Sequence, residues 1–254
     1  VKELQPNCYE NEFRYITTEI DFSFNQIEVI NKGTFKKLQV LQIQLQSNLI
    51  KMIEDEAFLN LPNLTLINLS NNRLFRLNPH AFLDVPVLDT LYFSCNNVEL
   101  LENGNFDFLG EQHAYIHLSS NNIFFIESRV FQREVAGSLS VDLSDNAIVS
   151  IPANLFDNHV FKVIDLGCNS IEDLSGMCEN NCSVNYIFVN STFLDRTKFE
   201  NFTTWADSKN IRLKESSCLI RETCKQMRNF FSKKSNAGFY YVALFAILRS
   251  IYLA

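Results

Sequence analysis

His113 and His117 are the residues whose types and spacing first raise the question of chemistry, because two imidazoles four apart on a helix share one face and can hold zinc. Two features remove that reading. Ala114 stands where a metalloprotease carries its general-base glutamate, and the flanking residues alternate as in a strand, where positions four apart lie roughly 13 Å from each other. His80 and His159 are expected as solvated residues of convex loops. The sequence contains no G-x-S-x-G elbow, glycine-rich phosphate loop or Cys/His nucleophile pattern. Seven glycines in 254 residues leave little scope for a phosphate cradle. The expectation is a protein that is not an enzyme and uses no metal or cofactor.

A second group of residues points to covalent modification. Asn63, Asn68, Asn181, Asn190 and Asn201 are each followed two residues on by Ser or Thr without an intervening proline, the acceptor pattern for N-glycosylation. Together with seven cysteines they imply the secretory route. In that oxidising context Cys178, Cys182, Cys218 and Cys224 are expected as disulfides, not as a zinc knuckle. Three pairings are possible, the most local being Cys178 with Cys182 and Cys218 with Cys224. A net charge of -7, without clustered Lys and Arg, argues against nucleic acid as a partner.

These residues sit on a repeating scaffold. The stretch 64–87 carries Leu64, Ile67, Leu69, Asn72, Leu74, Leu77 and Phe82, a pattern that fits neither a helical period nor plain alternation but returns every 23 to 25 residues. The anchor asparagines are Asn25, Asn48, Asn72, Asn96, Asn121, Asn146 and Asn169. Phe35, Phe58, Phe82, Phe106, Phe131 and Phe156 form a second ladder in phase with the first. Units then begin at Thr17, Val40, Leu64, Leu88, His113, Ser138 and Phe161, with a degenerate eighth at Val184. Residues such as Ile67 and Leu69 point inward, and burying each is worth about 1.5–3 kcal/mol. One unit cannot cover that face, whereas stacked units fuse their faces into one core. The asparagine amides pair with inward-facing backbone groups at the turn. Cys95 and Cys168 occupy equivalent positions three strands apart, roughly 14 Å, too far for a mutual bridge. They are expected to be free and packed.

This pattern resembles the extracellular branch of the leucine-rich repeat superfamily. The resemblance implies an α/β-type solenoid, with a concave parallel β-sheet and an irregular or short-helical convex side. It also implies caps: residues 1–16, with Cys8, resemble the last piece of an N-terminal cap, and residues 194–234 a C-terminal flanking cap following repeats over 17–193. Within the latter, Phe199, Phe202 and Trp205 have helical spacing over 199–213, although Leu194 to Arg196 stand where relatives carry Cys-x-Cys. Residues 235–254 form a hydrophobic tail, read as a lipid-anchor signal or a truncated transmembrane segment.

Strand alternation places the third, fifth and seventh residue of each unit on the concave face. Tyr92, Tyr115, His117, Asp142 and Asp165 then form an aromatic and acidic group in its middle, expected to bind ligand. The function implied is extracellular recognition of a protein ligand or cell-surface receptor, in adhesion, receptor or innate immune binding. The alternatives are a structural matrix protein and a cytosolic leucine-rich enzyme regulator. The location expected is the cell surface or the secreted fraction, with membrane contact only through the tail and oligomers permitted.

Overall fold

The structure is a computed structural model and describes residues 1–5, 16–110, 113–131, 137–174, 176–178, 180, 182–189 and 196–216. Eight successive units each contribute one strand to a single sheet: β1 (Thr17–Asp21), β2 (Val40–Gln44), β3 (Leu66–Asn68), β4 (Thr90–Tyr92), β5 (Ala114–His117), β6 (Leu139–Asp142), β7 (Val160–Asp165) and β8 (Ser183–Val189). Helix α1 (Arg196–Ser208) follows, and β9 (Arg212–Glu215) completes a nine-stranded sheet in strict chain order, every pair parallel. The chain is therefore a parallel-strand solenoid of about eight turns, as the repeat spacing requires.

Each anchor asparagine makes the bonds that its position demands. Asn72 accepts from the Ile50 N–H of the preceding unit at 3.0 Å and donates to the Leu45 and Leu69 carbonyls, both at 3.0 Å. Asn96, Asn121 and Asn146 repeat the arrangement one unit further each time. These groups are buried, so leaving one unpaired costs about 1–3 kcal/mol. The residue before each asparagine is left-handed: Phe24, Ser47, Asn71, Cys95, Ser120, Asp145 and Cys168 have φ between 52° and 59°. None is glycine, and the asparagine bonds hold a conformation that costs roughly 1–3 kcal/mol. These residues define one margin of the sheet, where the chain leaves each strand.

On the convex side the two-residue strands Phe35–Lys36, Phe58–Leu59 and Phe82–Leu83 form their own small parallel sheet. Phe35 stacks on Phe58 at 5.2 Å, and Phe58 on Phe82 at 5.1 Å. The expected phenylalanine ladder is buried throughout, yet its stack breaks in unit four. Phe82 stacks on Phe108 at 4.2 Å, while Phe106 starts a second run with Phe131 at 5.6 Å. Two phenylalanines in one unit allow this exchange of partners.

Three expectations need correction. The helix of the C-terminal region begins at Arg196 and ends at Ser208, burying Phe202 and Ala206, and residues 212–215 leave it to become β9. His159 is buried at 7% exposure against the Phe161 ring, 6.0 Å away, with Nδ1 2.7 Å from the Asp157 carbonyl. It packs because β7 brings Phe161 under the loop. Cys95 and Cys168 are both disulfide-bonded. The distance argument addressed only a bridge between the two, not bonds to other cysteines. Cys178 and Cys182 form the local pair expected. Cys8, Cys218 and Cys224, most of the residues assigned to the N-terminal cap and the tail lie outside the described residues. Among the described residues no helix is long and apolar enough to cross a membrane.

Candidate functional site

The registers of the strands set two rows of side chains across the open face. One row runs Tyr115, Ser140, Val163, Tyr186, Arg212. The other runs Tyr92, His117, Asp142, Asp165, Phe188, Lys214. All five residues expected to bind ligand therefore share one face, on four successive strands. Tyr92 and His117 are direct partners and stack at 4.5 Å with planes 11° apart. Tyr115 stands beside them, 38% exposed.

The two aspartates already have structural work. Asp142 Oδ1 accepts from the Ser144 N–H at 3.0 Å and from its hydroxyl at 2.6 Å, and Asp165 Oδ1 accepts from the Gly167 N–H at 2.9 Å. Each carboxylate thus closes the turn at its strand end, as Asp21 and Asn68 do in earlier units. Burial is the main cause that pushes the Asp165 carboxyl up to about 6; neighbouring Asp142 adds to it and the Gly167 N–H opposes it. Burial also holds the His117 imidazole below its ordinary value, against the opposing charge of Asp142. His117 is thus neutral at pH 7.

Sequence reasoning missed three cations on this face. Between β6 and β7 the register slips: Leu139 pairs with Phe161 but Ser140 with Val163, leaving Lys162 as the extra residue of a bulge. Its Nζ lies 6.0 Å from the Tyr115 ring centroid. Arg212 donates to the Tyr186 hydroxyl at 2.8 Å with its guanidinium carbon 5.6 Å from the ring. Lys214 Nζ lies 4.8 Å from the Tyr186 ring and 5.7 Å from that of Phe188. The face therefore ends in aromatic rings held under cations, within the roughly 6 Å reach of such contacts. Unit length gave no signal for the bulge, since unit one is as short, from Thr17 to Val40, and pairs with unit two without a shift. Arg212 and Lys214 had none, since β9 lies outside the repeat.

His113 and His117 do not form a common site. His113 immediately precedes β5 and its Nδ1 accepts from the Ser138 N–H at 3.0 Å, while His117 is in the aromatic stack. Of the acceptor asparagines, Asn201 is exposed on α1, Asn63 donates to Gln39 Oε1, and Asn68 is half-buried on the open face. Asn181 and Asn190 lie outside the described residues.

Comparison with known proteins places these features in context. Residues 17–74, 42–98 and 62–123 match, in overlapping windows, the family model described as leucine rich repeat. The chain is 27% identical over 159 residues to human leucine-rich repeats and immunoglobulin-like domains protein 3, which covers 62% of this chain and 14% of that protein. It is 34% identical over 131 residues to human epiphycan, covering 42% of this chain and 39% of that protein. The chain thus spans well under half the length of these curated relatives. Its fold superposes on the crystal structure of human trophoblast glycoprotein (Wnt-activated inhibitory factor 1) with a TM-score of 0.56 at 20% identity, covering 80% of this chain and 82% of that chain.

Proposed function

We propose, from the premise that this chain is a leucine-rich repeat protein, with matched repeats over residues 17–123 and the same coil continuing beyond them, that it recognises another protein and catalyses no reaction. The observation that carries this reading is the pair of registered rows on the open face, where rings on β4, β5 and β8 are held beside carboxylates and cations. Rigid aromatic side chains with a charged surround are the usual composition of a binding hot spot. The partner is a protein ligand or cell-surface receptor presenting a basic group to Asp142 and an apolar or acidic group to the Tyr115, Lys162 and Tyr186 cluster. Neither nucleic acid nor a cofactor fits this composition.

The five acceptor asparagines and the Cys178–Cys182 disulfide support an extracellular location, secreted or at the cell surface. The structural neighbour is itself named a glycoprotein, which agrees with that location. In this reading residues 1–16 and 194–234 cap the two ends of the stack, and residues 235–254 tether the protein to a membrane. The test is capture of cell-surface proteins with the secreted chain, followed by affinity measurement on the captured partner. Alanine at Tyr115 and at Asp142 each weakens binding by more than about 1 kcal/mol, and alanine at Gln44 does not. Equal affinity for all three variants would move the site to the convex loops or the C-terminal region.

A further inference from the structure

Exposed apolar side chains gather on the side of the coil just beyond the asparagine ladder. In units one to six the third and fourth residues after each anchor asparagine are exposed or half-buried, between buried neighbours. Met52, Phe75, Phe124, Phe125 and Val149 all stand there, Phe124 and Phe125 each 53% exposed. Apolar surface gathered in this way marks a place of contact. None of the five acceptor asparagines falls in 26–30, 49–53, 73–77, 97–101, 122–126, 147–151 or 170–174, the stretches that form this side, so no N-glycan is attached to it.

The relief of this side is uneven. Val29–Ile30 pair with Met52–Ile53, and Leu100–Leu101 with Phe125–Ile126, as short parallel strands. Unit three has no such strand among the described residues. Its chain turns into the 3-10 helix Pro79–Ala81, and the Asn78 amide donates to the Ile53 carbonyl. A groove of about 1080 Å³ results, with Lys51, Met52, Phe75 and Arg76 in its lining. Phe124, Phe125 and Val149, in units five and six, form an apolar ridge further along. Charge divides the same way. In units one to three this side exposes Lys51, Arg73 and Arg76 against Glu28; in units four to seven it exposes Glu99, Glu172 and Asp173 and no Lys or Arg. Lys51 is bonded to Glu28 at 2.8 Å, while Arg76 and Glu99 have no ion-pair partner among the described residues. Groove and ridge stand about three strand spacings apart in one stack, roughly 14 Å, so they can meet only between chains.

We propose that two copies of this chain pair through this side, about a two-fold axis between units three and four, with their units running in opposite directions. Unit two of each copy then faces unit five of the other. Phe125 of each enters the groove beside Met52 of the other, a ring-to-sulfur contact, Phe124 lies against Lys51, and Arg76 meets Glu99. Every contact occurs twice, so the pairing closes at two chains and does not run on into a filament. The open sheet stays free, and the pairing stands whether or not that sheet binds a protein.

Light scattering on the secreted full chain at micromolar concentration is expected to give twice the mass of one glycosylated chain. Phe125→Asp is expected to return the single mass. Arg76→Glu and Glu99→Arg should each do the same, because either one sets like charges against each other twice and weakens pairing by about tenfold or more. All three side chains are exposed, and thermal melts that match the parent show that the variants fold. The decisive sample is an equal mixture of the two charge variants. Unlike chains restore both opposite-charge contacts, so the mixture regains the double mass although neither variant pairs alone. A single mass for the parent would overturn the pairing. So would a double mass that survives Phe125→Asp, which would place the contact on the open sheet or in residues 235–254, or a mixture that stays at the single mass.

Discussion

Asp165 shows how a residue chosen for one role carries another. Alternation along the strand placed it on the open face correctly, but its turn-closing bond lay equally in the sequence, as an aspartate two residues before a small residue that offers its N–H. Its folded pKa of about 6 lies above the ordinary 3.8, so the folded state holds a proton that the unfolded chain has lost. The associated stability is fully present below pH 4 and is lost as pH rises through 6. Asp165→Asn keeps the turn bond and removes the buried charge. It should raise stability at pH 8 by on the order of 2 kcal/mol, at about 1.36 kcal/mol per pKa unit, and leave it unchanged at pH 4. Denaturant melts at the two pH values check this, and an equal shift at both would refute a charge-based cost. His117 titrates below 6.5, so affinity for a partner touching the Tyr92 stack should be flat from pH 8 to 7 and change only in more acidic buffer. Lys162 was invisible at this scale, because its approach to Tyr115 depends on a bulge that no single residue announces.

At the scale of the repeated element, the asparagine ladder was legible because one amide serves the same three backbone groups in every turn after the first. Asn121 accepts from the Val98 N–H and donates to the Phe93 and Leu118 carbonyls. Asn121→Ala leaves these buried groups without the amide and should lower stability by at least about 2 kcal/mol. Asn25 has no preceding unit: its amide donates to the Phe22 and Ser23 carbonyls of its own turn, and its oxygen accepts from the exposed Val1 amino terminus at 2.6 Å. Asn25→Ala should cost clearly less, and a chemical denaturation series comparing the two variants reads the difference. Gly167→Ala places a methyl group against Ser216. It should displace the chain beyond β9 and speed protease cleavage after Lys214 without moving the repeat core. The helix boundary and β9 were not legible, because Ile211 and Leu213 continue the apolar content of 199–213 while the backbone changes from helix to strand.

The whole molecule was the most legible level, since a period repeated seven times fixes strand order, parallel pairing and the continuous core at once. The compartment is tested at this scale too: the chain made in a eukaryotic secretory host should lose mass on enzymatic deglycosylation, with exposed Asn201 among the occupied sites. An unchanged mass would favour the cytosolic alternative. What the sequence period did not reveal is the break in the phenylalanine stack, where Phe82 leaves Phe106 for Phe108. Its consequence is mechanical. Held by its two ends and pulled in reducing buffer, a coil whose turns touch only their neighbours unspools one turn at a time. Each turn releases roughly 80 Å of chain for about 24 residues. Within the first run of rings every turn resists through a ring stacked on the next. At unit four that resistance passes from Phe106 to Phe108, a side chain only partly buried. The force plateau should therefore step between the third and fourth turns, dividing one smooth solenoid into two springs in series.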